Sequence, residues 1–229
     1  MTNAVWDYIN MAYPPHLPSI CHVVLDSSAC NQLSLRTGIS ATIIPNVMDF
    51  DNPLPAVDDY SADIRQAFEM SDDQLLILQP TRVVKRKGIE HAIELVKRLG
   101  MKAKLVITHA SGDEGDDYEV RVKEYAEIMN VDVVFESDII RERRGVAADG
   151  KKIYSWFDVY PHTDLVTYPS SYEGFGNAFL EAIYFSKPIV ANSYSIFETD
   201  IKPKSFKVIE LPGYVNEDSL DQGRENINN

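Results

Sequence analysis

From residue 75 onward, short continuous apolar runs alternate with segments of helical periodicity. LLILQ (75–79) reads as a buried strand. After Gly88, apolar residues recur at Ile89, Ala92, Ile93, Val96 and Leu99, the spacing that keeps one helix face apolar, and Gly100 stands where a helix stop is expected. KLVIT (104–108) predicts the next strand, and residues 117–129 a second helix with Val122, Tyr125, Ala126 and Met129 inward. VDVVF (131–135) follows as a strand and a helix is expected near 151–160. DLVTY (164–168), ended by Pro169, is read as a strand, 177–186 as a helix, and PIVAN (188–192) and FKVIEL (206–211) as further strands.

Alternation of this kind, with strands apolar throughout, predicts a parallel sheet covered on both faces. Right-handed crossovers make it an α/β, doubly wound, Rossmann-like domain, in which ligands bind beyond the carboxyl ends of the strands. The first 75 residues differ. ICHVVLDS (20–27) predicts one strand, with Ser27 or Ser28 capping a helix to about Thr37, and ATIIP (41–45) is another short apolar run. Residues 46–61 are rich in Pro, Asp and Asn and read as the start of a linker. The expected division is 1–45 as the remnant of a first domain, 46–74 as linker, and 75–229 as the α/β domain.

Hydrophobic residues at 45% and charged residues at 25% are globular values and exclude a disordered or fibrous chain. No apolar run is long enough for a transmembrane helix, and the N-terminus lacks the basic and apolar regions of a secretory signal. Cys21 and Cys30 form no disulfide framework, so a cytoplasmic location is expected. The net charge of −13 disfavours nucleic acid and anionic membranes as partners. Against that background, TRVVKRKG concentrates Arg82, Lys85, Arg86 and Lys87 in one loop. Alone, such a run is a solvated face; its place after a strand gives it another reading.

Two strand-to-helix turns carry the chemistry. In PSSYEGFGNAFLEA (169–182), Gly174 and Gly176 remove side chains so that backbone N–H groups can approach a ligand. The helix expected from Asn177 turns its unpaired N–H groups and dipole toward an anion. Glu181, within that helix, could accept hydrogen bonds from a vicinal diol such as a ribose, and Glu173 lies at the mouth. In QPTRVVKRKGIEHA (79–92), Arg82 could fork onto one phosphate and Lys87 supply a point charge to another. Both turns lie at one edge of a parallel sheet, so a diphosphate between them would meet two cations and two helix N-termini.

These residues match a family. EGFGNAFLEA, with Arg82 and Lys87 upstream and TDLVTYPSS just before, resembles the nucleotide-binding half of retaining GT-B glycosyltransferases. Glu173 and Glu181 span its E-x7-E signature. PNVMD (45–49) resembles the turn leading into this half, with Val47 in place of the usual glycine. TRVVKRKG resembles the G-R-L-x-x-x-K-G loop, with Thr81 in place of glycine. Residues 20–38 resemble the last strand and helix of the family's first, acceptor-side domain. The resemblance implies a nucleotide-diphosphate sugar as donor substrate, no obligatory cofactor and no metal. It implies that Arg82 and Lys87 hold the diphosphate and stabilise the leaving nucleotide, with Glu173 at the transferred sugar as the third catalytic residue. Glu181 would take the ribose, and Gly174, Phe175, Gly176 and Asn177 would offer backbone N–H groups. It implies transfer to an unknown acceptor with retention of anomeric configuration.

Other signals are weaker. Asp49-Phe50-Asp51 matches the metal-binding D-x-D of a different glycosyltransferase fold, but too little chain precedes it. His109 ends the second strand of the domain and could approach a ligand, although the acidic loop after it reads as a solvated cap, and His162 reads as structural. The 139–150 loop could border a nucleobase. A complete enzyme of this type needs two such domains, so the chain is read as a truncated form holding the donor half. The apolar surface left by the missing part could pair with a second copy. Two alternatives remain open: a GT-B relative that epimerises or cleaves a sugar nucleotide, which would need an acid–base pair that no histidine here supplies, and a non-catalytic nucleotide-sugar binding module.

Overall fold

The N-terminal residues form helix α1 (Asn3–Met11) and then a small β-α-β unit of β1 (His22–Val24), α2 (Ser27–Thr37) and β2 (Ala41–Ile43). This architecture comes from a computed structural model that describes residues 3–11, 14–111, 117–211, 213, 215–216 and 218–221. β1 and β2 pair in parallel, and Val23, Leu25, Ile43 and Ile44 are exposed beside them. The cap of α2 is Asp26 rather than Ser27 or Ser28. Its extended backbone lets the carboxylate accept from the Ala29 amide at 2.7 Å. Ser27 is committed elsewhere: its amide and hydroxyl donate to the Asp200 carboxylate at 2.7 and 2.5 Å, tying the unit to the larger domain.

Residues 44–63 hold no helix or strand, yet the end of this stretch is packed. The Tyr60 hydroxyl donates to the carbonyls of Gly145 and Ile153, and Ser61 is buried. Helix α3 (Ile64–Ala67) follows, with Ile64 and Phe68 fully buried in the main core.

The larger domain runs β3 (Leu75–Gln79), α4 (Ile89–Leu99), β4 (Ala103–Ile107), α5 (Asp117–Met129) and β5 (Asp132–Phe135). A small sheet of β6 (Ile140–Arg141), β7 (Gly145–Val146) and β8 (Lys152–Ser155) comes next. Then come α6 (Trp156–Val159), a 3-10 turn at Tyr160–His162, β9 (Leu165–Tyr168), α7 (Asn177–Tyr184), β10 (Ile189–Asn192) and β11 (Ile209–Leu211). The expected helix over 151–160 is therefore a strand followed by one helical turn. Lys152–Ser155 is drawn into β8 by pairing with β6 and β7, and the Ser155–Asp158 capping box starts α6 only afterwards. The 139–150 segment is occupied by this small sheet, whose Arg144 is forked onto Asp158 and Asp58.

The main sheet has the order β11-β10-β9-β3-β4-β5 and is parallel throughout. Successive residues face opposite sides. Leu76, Leu78 and Val106 join the core that includes Phe179 of α7, whereas Ile77, Leu105 and Ile107 meet α4 and α5. From the central pair, the chain winds outward through β4 and β5 on one side and through β10 and β11 on the other. The strand order thus reverses between β3 and β9, where the loops leaving the two strands diverge and open a crevice.

Those loops touch. Gly88 has φ +61, and a methyl there would stand 2.6 Å from the carbonyl oxygen of Pro169. Gly100, at φ +62, has open space around it. In urea unfolding, Gly100→Ala is expected to cost roughly 1 kcal/mol for the left-handed backbone alone. Gly88→Ala is expected to cost at least about 2 kcal/mol, because the loop contact adds a steric term. Equal losses would show that the Pro169 loop gives way without cost.

Candidate functional site

The crevice at the β3–β9 switch is a cleft of about 480 Å³. Its walls include Arg82 and Lys87 from the β3 loop and Glu173 to Asn177 from the β9 loop, with Glu181 one turn into α7. All eight residues singled out in the sequence therefore share one cavity.

The β3 loop is held from beneath. Gln79 ends β3 fully buried, and its amide donates to the Lys87 carbonyl at 3.0 Å and to the Thr81 hydroxyl at 3.2 Å. Thr81, at the family's glycine position, is itself buried in this support. Lys85–Lys87 then forms a 3-10 turn closed by Gly88. The β9 loop hangs on the first: the Ser171 amide donates to the Arg86 carbonyl at 2.9 Å. Gly176 has φ +87, and a methyl there would meet the Tyr168 hydroxyl at 2.6 Å, so only glycine fits beneath α7. Gly174 has open space around it, on the side of the cleft. No side chain caps α7, which leaves amides at its start for an anion.

The expectation of two such helix ends is corrected to one. The first amide of α4, at Ile89, donates to the Tyr118 hydroxyl of α5, which in turn donates to Glu90. The first amide of that end is thus taken by protein.

Charge at the cleft is paired across the loops. The buried Lys87 ammonium donates to Glu173 and lies 5.6 Å over the Tyr168 ring. Arg86 stands 3.3 Å from the other Glu173 oxygen. Burial holds the Lys87 amine below its ordinary range despite Glu173, and Arg86 and Arg82 push the same way. Arg82 is exposed, and its guanidinium has no hydrogen-bond partner among the described residues. Burial raises the Glu181 carboxyl, opposed by a 2.7 Å hydrogen bond from the Tyr160 hydroxyl. The Asn177 side chain accepts from Asn46 at 2.6 Å, which brings the 45–49 turn to the cleft. Asp49 is used within that turn, accepting from the Asp51 amide and the Asn52 side chain.

Sequence reasoning passed over several members of the site. Arg86 was visible only as part of a basic run. For His109 the acidic loop favours a solvated cap over an approach to a ligand, yet it lines the cleft half-buried, stacked on Trp156 with ring centroids 5.3 Å apart. Its position directly after β4 was the available signal. Tyr160 and Trp156 belong to the segment expected as helix, and periodicity there gave no pointer. The 139–150 loop does not line the cleft. The acidic residues 113–116 lie outside the described residues.

The fold is shared with solved structures. A glycosyltransferase from Rickettsia africae superposes with a TM-score of 0.71 at 16% identity, covering 98% of this chain and 56% of that one. Anabaena HepE in complex with UDP-glucose gives 0.68 at 14% identity, over 98% of this chain and 57% of that one. The class is thereby defined: this is the fold of the GT-B glycosyltransferases. By sequence the chain is a relative of the mannosylglucosylglycerate synthases. It is 33% identical to that of Petrotoga mobilis over 91% of this chain and 53% of the relative. It is 30% identical to that of Thermotoga maritima over 90% of this chain and 49% of the relative. The chain spans about half the length of the curated relatives it matches. No family profile matches it.

The electrostatics can be checked on the free protein. Burial first, then the charges of Lys87 and Arg82, hold the His109 imidazole below its ordinary value of 6.5. A neutral neighbour removes a repulsion on the protonated ring, so Lys87→Met and Arg82→Met should each raise the His109 pKa in an NMR titration. His109→Asn assigns the resonance. A pKa unmoved by both variants would place the two cations away from His109 in solution. Because folding depresses this pKa, the protonated unfolded state gains below pH 6.5, and the His109 contribution to stability falls with pH from there.

Proposed function

We propose that this chain is the donor-binding, C-terminal half of a retaining, metal-independent glycosyltransferase that takes a nucleotide-diphosphate sugar. The observation that carries the reading is the meeting of three cations, an uncapped helix start and two carboxylates in one cleft at the sheet's switch point. A pyrophosphate fits the cationic lip and the start of α7, with Arg82 and Lys87 as its partners. The negative charge that builds on the leaving nucleoside diphosphate then meets fixed donors, which lowers the barrier without solvent reorganisation. Glu181 takes the ribose, and Glu173 contacts the transferred sugar beside the amides of Gly174, Phe175, Gly176 and Asn177. Positive side chains supply the charge that a metal supplies elsewhere.

The relatives' name supports a hexosyl transfer that builds a mannosyl-glucosyl-glycerate. We extend that product class to the enzyme of which this sequence forms about half, with the acceptor held by the other half. A cytoplasmic setting suits the free Cys21 and Cys30.

Titration of the 229-residue chain with UDP, GDP and ADP tests the reading. One base is expected to raise the melting point in the presence of EDTA, by about 2.7 kcal/mol of stabilisation at a hundred times its Kd. Arg82→Ala and Lys87→Ala should each weaken that diphosphate roughly tenfold or more, the loss of a charge-assisted hydrogen bond. Indifference to all three nucleotides and to their sugar conjugates would overturn the proposal. Retention is read from the anomeric coupling of the product made by the two-domain enzyme; an inverted product would remove that part of it.

A further inference from the structure

The 3-10 turn after α6 places a tyrosine whose geometry the cleft depends on. Tyr160 is fully buried, and burial pushes its phenol well above the ordinary range, so the hydroxyl keeps its proton. Its ring stacks on Phe185 with centroids 4.7 Å apart and planes within 3°. Phe185 closes α7 one turn after Glu181. Ring and hydroxyl therefore both address the same face of one helix, at positions four residues apart. The hydroxyl donates to one oxygen of Glu181 at 2.7 Å, and among the described residues the Glu181 carboxylate has no other hydrogen-bond partner.

A buried hydroxyl costs free energy unless it is hydrogen-bonded, and phenylalanine would fill the same space without that cost. What the hydroxyl adds is a fixed carboxylate. With one oxygen tethered, rotation of the Glu181 carboxylate is restrained, and its second oxygen is uncommitted on a residue that lines the cleft. A vicinal diol needs such an acceptor held in place before it arrives.

We propose that Tyr160 is a positioning residue for the ligand's ribose, acting through Glu181 to hold one carboxylate oxygen toward the 2′- and 3′-hydroxyls. This rests on the reading of Glu181 as the ribose partner. The ring–helix contact sets where Tyr160 stands, and the hydroxyl sets the orientation of Glu181.

The test compares UDP, GDP and ADP with their 2′,3′-dideoxy counterparts, by calorimetry on the 229-residue chain. For the base that binds, the wild type should favour the ribose form. Tyr160→Phe should reduce that preference about tenfold, as expected for one hydrogen bond to a charged group, with the dideoxy form unaffected within about twofold. Glu181→Gln should reduce it similarly, and adding Tyr160→Phe to Glu181→Gln should cost no more. If Tyr160→Phe weakens both forms alike, or leaves the preference unchanged while Glu181→Gln abolishes it, Tyr160 only packs and the proposal falls. A wild type that binds a diphosphate yet ignores its ribose hydroxyls would overturn the reading of Glu181 and this proposal with it, while leaving the diphosphate site standing.

Discussion

Lys87 and Glu173 are separated by 86 residues, yet they form a buried ion pair. They reach it because β3 and β9 are neighbours in the sheet while their connections leave in opposite directions. A lysine brought into a protein interior loses much of its hydration, and an unpartnered one would shed its proton or disrupt the loop. Glu173 keeps the charge in place, and the charge keeps the two loops facing each other. Much of the cleft follows from that pairing: Arg86 is drawn to the same carboxylate, Ser171 is bonded to the Arg86 carbonyl, and Gly88 lies against Pro169.

The supports beneath the pair are uncharged. The Gln79 side-chain NH2 donates to the Lys87 carbonyl and the Thr81 hydroxyl, and the Thr167 hydroxyl donates to the Gln79 side-chain oxygen Oε1 at 3.4 Å. Each of these groups is buried and each finds a partner, which is the condition for tolerating polar atoms at a sheet's end. Gly176 brings α7 so close to Tyr168 that a single methyl would collide. The helix start is thereby fixed against a rigid aromatic ring rather than left to a mobile loop, and a site that must hold a charge in place needs such a foundation.

The fold was legible where a single periodicity ruled. The runs at 75–79 and 89–99 match β3 and α4 because each buries one continuous face. Residues 151–160 were not legible, because β8 depends on partners at 140–141 and 145–146 whose two-residue strands carry no pattern of their own. The cleft residues 82, 87, 173–177 and 181 stood out because glycines and charges follow apolar strands there and at the start of α7. Tyr160 could not: its value lies in one hydroxyl that meets Glu181 across 21 residues, and nothing local distinguishes it from a core aromatic. Asp26 in place of Ser27 shows the same limit, since Ser27 was claimed by Asp200, a partner far along the chain.

The charge of the cleft takes its meaning from the rest of the chain. A net charge of −13 repels an anionic ligand at long range, and over a Debye length of about 8 Å only local cations offset this. Two of the three local cations are already paired with Glu173. An incoming diphosphate would therefore compete for Lys87 with a carboxylate, not with water alone, and its affinity is reduced by the strength of that pair. Arg86 changes the balance. It stands on the second oxygen of Glu173, so that Lys87 can exchange the carboxylate for a phosphate without leaving a buried anion uncompensated. Arg82, exposed at the cleft, would on the proposed reading meet a diphosphate first. On this reading the pair that organises the unliganded cleft is also the one that binding must rearrange, and the arginine beside it makes the exchange affordable.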